Sequence, residues 1–347
     1  MQPSRRAFLL GRRPARTGWD ALRLRLARLA DGPLDDLAPG RARLAAHGPA
    51  DVRHARALCA EYGAVLALAG GPAAAPGVGA DGGEDAGVPA GGAAGAGGGQ
   101  TRAAVASRPP VLEVDPARLD FLVREGAGWR AGPGCRAQDL AQAGLARFAA
   151  APPGQTLAQW LAGQGGWPPG GTAASGLAEL DLLLADGTVE TLGPFGQADV
   201  RPLRSAATQR LVPALFQLAD SPDAAACLAA PAWPARYRLD ALRPRAPHGV
   251  NLAHLLLGHG GTLAWVEGAL LLDEAAAGDA RQANAPVDGR GGPADEEGSG
   301  AGPAAGTARA GREAGEAARR LDARVRACFD PRHVYGAAAD GGARRRE

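Results

Sequence analysis

The chain has 347 residues, 46% of them hydrophobic, with 38 basic and 36 acidic side chains and a formal net charge of +2. That length and apolar content support one large domain or two medium ones, and the near balance of charge gives no global electrostatic pull towards nucleic acid. All 38 basic residues counted are arginine and no lysine is present, which excludes a lysine Schiff base, a lysine general base and a Walker A lysine.

Taken in order, the chain opens on Ser4-Arg5-Arg6-Ala7-Phe8-Leu9-Leu10, which has the look of a twin-arginine export signal. Such a signal needs an apolar segment of about 7–15 residues, and Gly11-Arg12-Arg13-Pro14 follows instead, so a basic tail is expected. Residues 17–30 form an amphipathic helix with Thr17 as N-cap and Asp20 three residues on, and with Leu22, Leu26 and Leu29 on one stripe. Docking on the body is favoured over membrane-surface attachment because that stripe is short. Residues 51–62 make the next helix, ended by Gly63. Residues 64–68 are a short buried strand, and Gly70-Gly71 turns at its end.

Residues 72–107 are mostly Gly, Ala and Pro. They hold too little apolar surface to offset their ordering entropy, so a disordered insert is expected. Strands follow at 111–114, 119–125 and 128–131, the last closed by Gly132-Pro133-Gly134. A short helix spans 136–143, residues 145–149 are extended, and 152–156 is a turn. A strand at 177–185 meets a second at 188–192 through the hairpin turn Asp186-Gly187. A helix lies within 203–218, residues 237–242 are extended, and 252–257 is an apolar run. Residues 258–262 form a tight loop before a buried strand at 263–272. Residues 273–311 are a low-complexity linker, and a last helix at 313–329 stops at Asp330-Pro331. Many short strands with few helices point to α+β rather than a repeating βαβ chain.

Several motifs can be set aside. Gly77-Val78-Gly79-Ala80-Asp81-Gly82 matches G-x-G-x-x-G, but it lies inside the Gly/Ala insert with no helix after it, where chance matches are expected. No P-loop, no G-x-S-x-G elbow and no H-E-x-x-H is present. Cys59, Cys135, Cys227 and Cys328 are isolated in sequence, which argues against a disulfide framework or a zinc site and fits a reducing compartment. Of the six histidines, five read as ordinary polar or capping residues. His259 differs because it sits between glycines in a tight loop, where backbone amides can face an anion or a ring edge.

Five segments and the C-terminal helix together carry a resemblance. They are ADVRHARALCAEYGAVLALAGG (50–71), LEVDPARLDFLVREGAGWRAGPGCRAQDLAQAGL (112–145), PPGQTLAQWLA (152–162), LAELDLLLADGTVETLG (177–193) and NLAHLLLGHGGTLAWVEGALL (251–271), followed by LDARVRACFDPRHVYG (321–336). Their order resembles the FAD-binding domain of vanillyl-alcohol oxidase-type, or PCMH-type, FAD-linked oxidases, a family that includes D-lactate dehydrogenases and the FAD-binding subunit of glycolate oxidase.

The resemblance implies an α+β fold, a PCMH-type FAD-binding domain of two small α/β subdomains with a reduced or missing substrate cap domain. Residues 1–46 would be the basic tail and amphipathic helix, 47–197 the first part of the FAD-binding domain, 198–272 its second part, 273–311 the linker and 312–347 the C-terminal helix and tail. The implied cofactor is FAD. Gly70, Gly71, Pro153, Gly154, Gln155 and Thr156 would cradle its diphosphate, and Gly258, His259, Gly261 and Thr262 would lie near the flavin. The chemical logic is that glycine-rich bends present several N–H donors to a diphosphate without side-chain clash. No counterpart of the family's flavin-linking histidine is present, so binding is expected to be non-covalent. Departures include Ala158-Gln159 in place of paired glycines and His259 in place of a serine. The implied function is an oxidoreductase acting on a small hydroxy-acid-like substrate; the alternative is a non-catalytic or degenerate FAD-binding subunit of a larger redox complex. The remaining expectations are a cytoplasmic location, a partner redox subunit, no nucleic acid and no membrane-spanning segment.

Overall fold

A computed structural model describes residues 17–71, 108–163, 166–196, 202–273 and 306–337, with side chains in the last segment described from residue 311. The tail with Ser4-Arg5-Arg6, the 72–107 insert with its Gly77–Gly82 match and most of the 273–311 stretch lie outside the described residues.

The chain enters through α1 (Gly18–Leu29), fixed by a reciprocal cap. The Thr17 hydroxyl accepts from the Asp20 amide at 3.1 Å, and the Asp20 carboxylate accepts from the Thr17 amide at 3.2 Å. Leu22 and Leu26 are fully buried beneath it, in a core shared with α2 (Pro49–Tyr62), so α1 docks on the body. Leu29, expected on the same stripe, is exposed.

The first sheet has the order β1-β2-β4-β3-β10, formed by β1 (Leu34–Ala38), β2 (Arg41–Ala45), β3 (Val65–Leu68), β4 (Val111–Asp115) and β10 (Tyr335–Gly336). The β1–β2 pair is antiparallel and every other pair is parallel. Ala42, Leu44, Leu66, Leu112 and Val114 are buried, and they alternate along their strands with Arg41, Arg43 and Glu113, which pair with one another.

The second sheet is antiparallel, with the order β5-β6-β9-β7-β8, and is built from β5 (Leu122–Glu125), β6 (Gly128–Ala131), β7 (Leu177–Leu183), β8 (Val189–Leu192) and β9 (Trp265–Leu272). Its core includes residues of α3 (Ala137–Gln142), α4 (Leu157–Gly163), α5 (Ala206–Ala219), α6 (Pro222–Leu228) and α7 (Gly306–Phe329). The two sheets meet where Ala158, Ala162, Leu183, Ala185 and Trp265 join the first core, and where the Tyr335 hydroxyl donates to the Leu183 carbonyl at 2.8 Å. The architecture is a mixed α/β fold with two sheets.

Local expectations differ from the structure at several points. Residues 34–45 form a hairpin that the apolar pattern hides, because Arg41 and Arg43 stand on its paired face. The extended stretch expected at 145–149 contains a single 3-10 turn at Ala146–Phe148, and 237–242 contains another at Leu239–Leu242. The second is held by a buried pair: Arg238 donates to the Asp240 carboxylate from Nε (2.9 Å) and Nη2 (2.6 Å), and to the carbonyls of Trp167 and Pro168. The 252–257 run is likewise a 3-10 segment. Helices α4 and α6 were not anticipated, and α7 starts at Gly306 rather than 313.

Candidate functional site

The site begins where β3 ends. The Ala69 amide continues the ladder to the Val114 carbonyl (2.9 Å), and Gly70 then turns with φ +63°. Only glycine adopts that conformation without strain. The Gly71 amide closes the bend on the Leu68 carbonyl at 3.2 Å.

The second bend, 152–156, leads into α4. Here almost every donor is already engaged. The Gln155 amide donates to the Pro152 carbonyl, Leu157 to Cys135 and Ala158 to Pro133, all at 2.8–2.9 Å. Thr156 and Gln159 cap each other: the Thr156 amide donates to Gln159 Oε1 (3.0 Å), and the Gln159 amide to Thr156 Oγ1 (3.3 Å). The first turn of α4 therefore offers no free backbone donor, which the sequence did not reveal. Pro153 and Gly154 lie exposed at the tip of this bend.

Gln159 reaches further. Its Nε2 donates to the Ala69 carbonyl at 2.9 Å and lies 2.6 Å from the position a Cβ on Gly70 would take. One side chain thus ties the 152–156 bend to the 69–71 bend.

The third bend, 258–262, packs on the other end of α4. The Gly258 amide donates to the Leu161 carbonyl (2.8 Å) and the Gly260 amide to that of Ala162 (3.0 Å). This places the 258–262 loop at the opposite end of α4 from Thr156. Gly261 (φ +72°) comes against β3, where a Cβ on it would stand 3.3 Å from Leu68 Cβ. Residues 69–71 and 258–262, far apart in sequence, therefore share one locus. Among the described residues, no protein acceptor takes the amides of Gly70 or Gly261.

Side chains complete the locus. His259 is 2% exposed, its Nδ1 has no partner, and burial first, then the nearby Arg236 cation, push its pKa down to about 3, so the ring is neutral at physiological pH. The Thr262 hydroxyl lies 2.6 Å from the His259 carbonyl and 2.7 Å from the Tyr237 hydroxyl. Arg236 lies over Gly260, its Nη2 against the place a Gly260 Cβ would take, and among the described residues no carboxylate forms an ion pair with it. Its backbone is fixed by α7, where the Asp322 carboxylate accepts from the amides of Arg236 and Tyr237 at 3.0 Å. Sequence reasoning missed Arg236 and Gln159: neither lies in a glycine bend, and only tertiary packing brings them there. His254, treated as an ordinary polar residue, is one: its ring nitrogens meet the Leu177 carbonyl at 2.9 Å and the Thr172 hydroxyl at 3.2 Å.

The locus therefore presents two free amides at left-handed glycines, a guanidinium, and a buried neutral imidazole with an orphan nitrogen. That donor set suits an anion such as a diphosphate. All four cysteines are free thiols, and among the described residues no cluster of three or more His, Cys, Asp or Glu side chains could hold a metal. No helix of the described residues is long and apolar enough to cross a membrane.

No family model matches the chain, and no curated protein matches it. Solved structures do. Carbohydrate oxidase from Microdochium nivale, in complex with a substrate analogue, aligns at 13% identity over 73% of this chain and 43% of its own, with a TM-score of 0.36. Chitooligosaccharide oxidase aligns at 11% identity over the same shares, also at 0.36. The 6-hydroxy-D-nicotine oxidase of Arthrobacter nicotinovorans aligns at 14% identity over 75% and 40%, at 0.34. The chain spans less than half the length of these proteins, and at such TM-scores the likeness assigns no function.

Proposed function

We propose that the chain is an FAD-binding flavoprotein of the FAD-linked oxidase class with a reduced or missing cap, holding FAD non-covalently at the locus of Gly70 and Gly261. The observation that carries this reading is the convergence of the 69–71 and 258–262 bends, with their two free amides and Arg236 beside them. The Gly70 and Gly261 amides and the Arg236 guanidinium would hold the diphosphate, with Gly71, Gly258 and Thr262 shaping the bends around it. Neutral His259 would offer its orphan Nδ1 to a polar edge of the ring. When bound, FAD would supply the redox chemistry by accepting a hydride from a small hydroxy acid.

A second reading, a non-catalytic or degenerate subunit of a larger redox complex, is favoured by Gln159. Its side chain lies across the space above Gly70, and the 155–158 amides are bonded to the protein itself. A flavin held there but not bleached anaerobically by 2-hydroxy acids would support it.

The test is an absorption spectrum of the purified protein and a titration of its apo form with FAD. Flavin bands, or saturable quenching of FAD fluorescence, are expected. Gly261→Val, which puts a branched side chain at a left-handed position against Leu68, should weaken binding at least tenfold, and Arg236→Gln should weaken it without touching the backbone. A colourless protein that does not bind added FAD would overturn the flavin reading.

A further inference from the structure

Many described arginines pair with carboxylates, among them Arg23 with Asp36, Arg53 with Glu267, Arg130 with Glu125, Glu179 and Asp181, and Arg320 with Asp223. Three arginines around one pocket do not. The pocket, about 480 Å³, lies between α2, the β7–β8 turn, α5 and the end of α7. Arg56, Arg210 and Arg332 line it, and among the described residues none of them forms an ion pair with a carboxylate. Arg56 donates from Nη1 to the Ala185 carbonyl at 2.9 Å, while its Nε is buried without a partner. Asp186 is the pocket's lone acid, and one of its carboxylate oxygens already accepts from the Thr188 amide at 2.8 Å.

The floor is apolar, with Leu211 and Phe329 among the lining residues and both largely buried. The volume falls in the range of small-molecule sites, about 300–1,000 Å³. Guanidinium forks match carboxylate and phosphate geometry. Inorganic anions alone would leave the Leu211–Phe329 floor wet, and a neutral hydrocarbon would leave three cations unmatched.

We propose that this pocket is a binding site for a small organic anion, an aromatic or short acyl body carrying a phosphate or carboxylate head. Arg210 and Arg332 hold the head from the rim, the buried Nε of Arg56 lies behind it, and Leu211 and Phe329 cover the body. The site is separate from the Gly70–Gly261 locus and does not rest on the flavin reading.

Isothermal titration of the full chain with 1-naphthyl phosphate tests it, with inorganic phosphate and 1-naphthol as the two half-ligands. Saturable one-to-one binding is expected, at least tenfold tighter than either half-ligand. The exposed pair Arg210→Gln and Arg332→Gln, combined, should weaken binding at least tenfold with an unchanged melting curve and unchanged FAD titration. Ala214→Phe, which fills the pocket, should abolish it. Absence of saturable binding, equal affinity for inorganic phosphate, or full affinity in the double variant would each overturn the assignment.

Discussion

Acidification should weaken this fold well before its carboxylates titrate, and two buried imidazoles set the size of the effect. Burial pushes His254 down to about 4 and His259 down to about 3, against an ordinary value of 6.5. Because the unfolded chain protonates both near pH 6.5 while the folded chain does not, the unfolded state gains protons first. Stability is therefore complete above about pH 7 and falls as pH drops through 6.5 towards the folded values. At about 1.4 kcal/mol per pH unit per group, the step from pH 7 to pH 5 removes about 2 kcal/mol for each histidine, or about 4 kcal/mol together. That is a large part of an ordinary domain's stability. Burial opposes ionisation at Asp51, Glu113 and Glu190, but hydrogen bonds overcome it and hold these carboxyls below their usual range, so their contribution is lost only at lower pH. Asp322, raised by burial, works in the opposite direction. Urea denaturation at pH 7, 6 and 5 measures the slope, and His259→Asn should remove about half of it whatever it does to the absolute stability. A loss below about 1 kcal/mol between pH 7 and 5, or an unchanged slope in the variant, would refute the reasoning.

Two structural predictions stand beside this one. Arg238→Met leaves the Asp240 carboxylate buried without its cation and should cost about 3–5 kcal/mol, while adding Asp240→Leu should recover much of that loss in the same urea assay. Thr17→Ala removes the hydroxyl that accepts from Asp20 and should cost about 1 kcal/mol, read as a shift of the denaturation midpoint with little change in slope.

The sequence was most legible where local chemistry decides the structure. The Thr17–Asp20 cap, the Gly63 stop, the Asp186-Gly187 hairpin and the bounds of β6 each follow from a few adjacent residues. It was least legible where a distant partner decides. Arg41 and Arg43 look like surface residues until Glu113 lies on the neighbouring strand. The 3-10 turn at Leu239–Leu242 depends on carbonyls about 70 residues away, those of Trp167 and Pro168. The candidate site divides in the same way. The bends at 69–71 and 258–262 were placed correctly as turns, yet only the packing of Gly261 on Leu68 shows that they meet. The 152–156 bend shows the converse, since the Leu157 and Ala158 amides that follow it are consumed by loop 133–135, which no pattern in the bend announces.

The two-residue strand β10 has a kinetic consequence. It pairs with β3, while the helix before it packs on α5 and α6 in the core of the second sheet, so the first sheet is finished only by residues 335–336. During synthesis, β3 must wait with one edge unpaired until some 270 further residues have emerged. Pairings of such long sequence separation form slowly, and an open edge is a template for association with other chains. A nascent or truncated form ending before Asp330 would carry that raw edge, making the interval before β10 docks the time of greatest aggregation risk for this molecule.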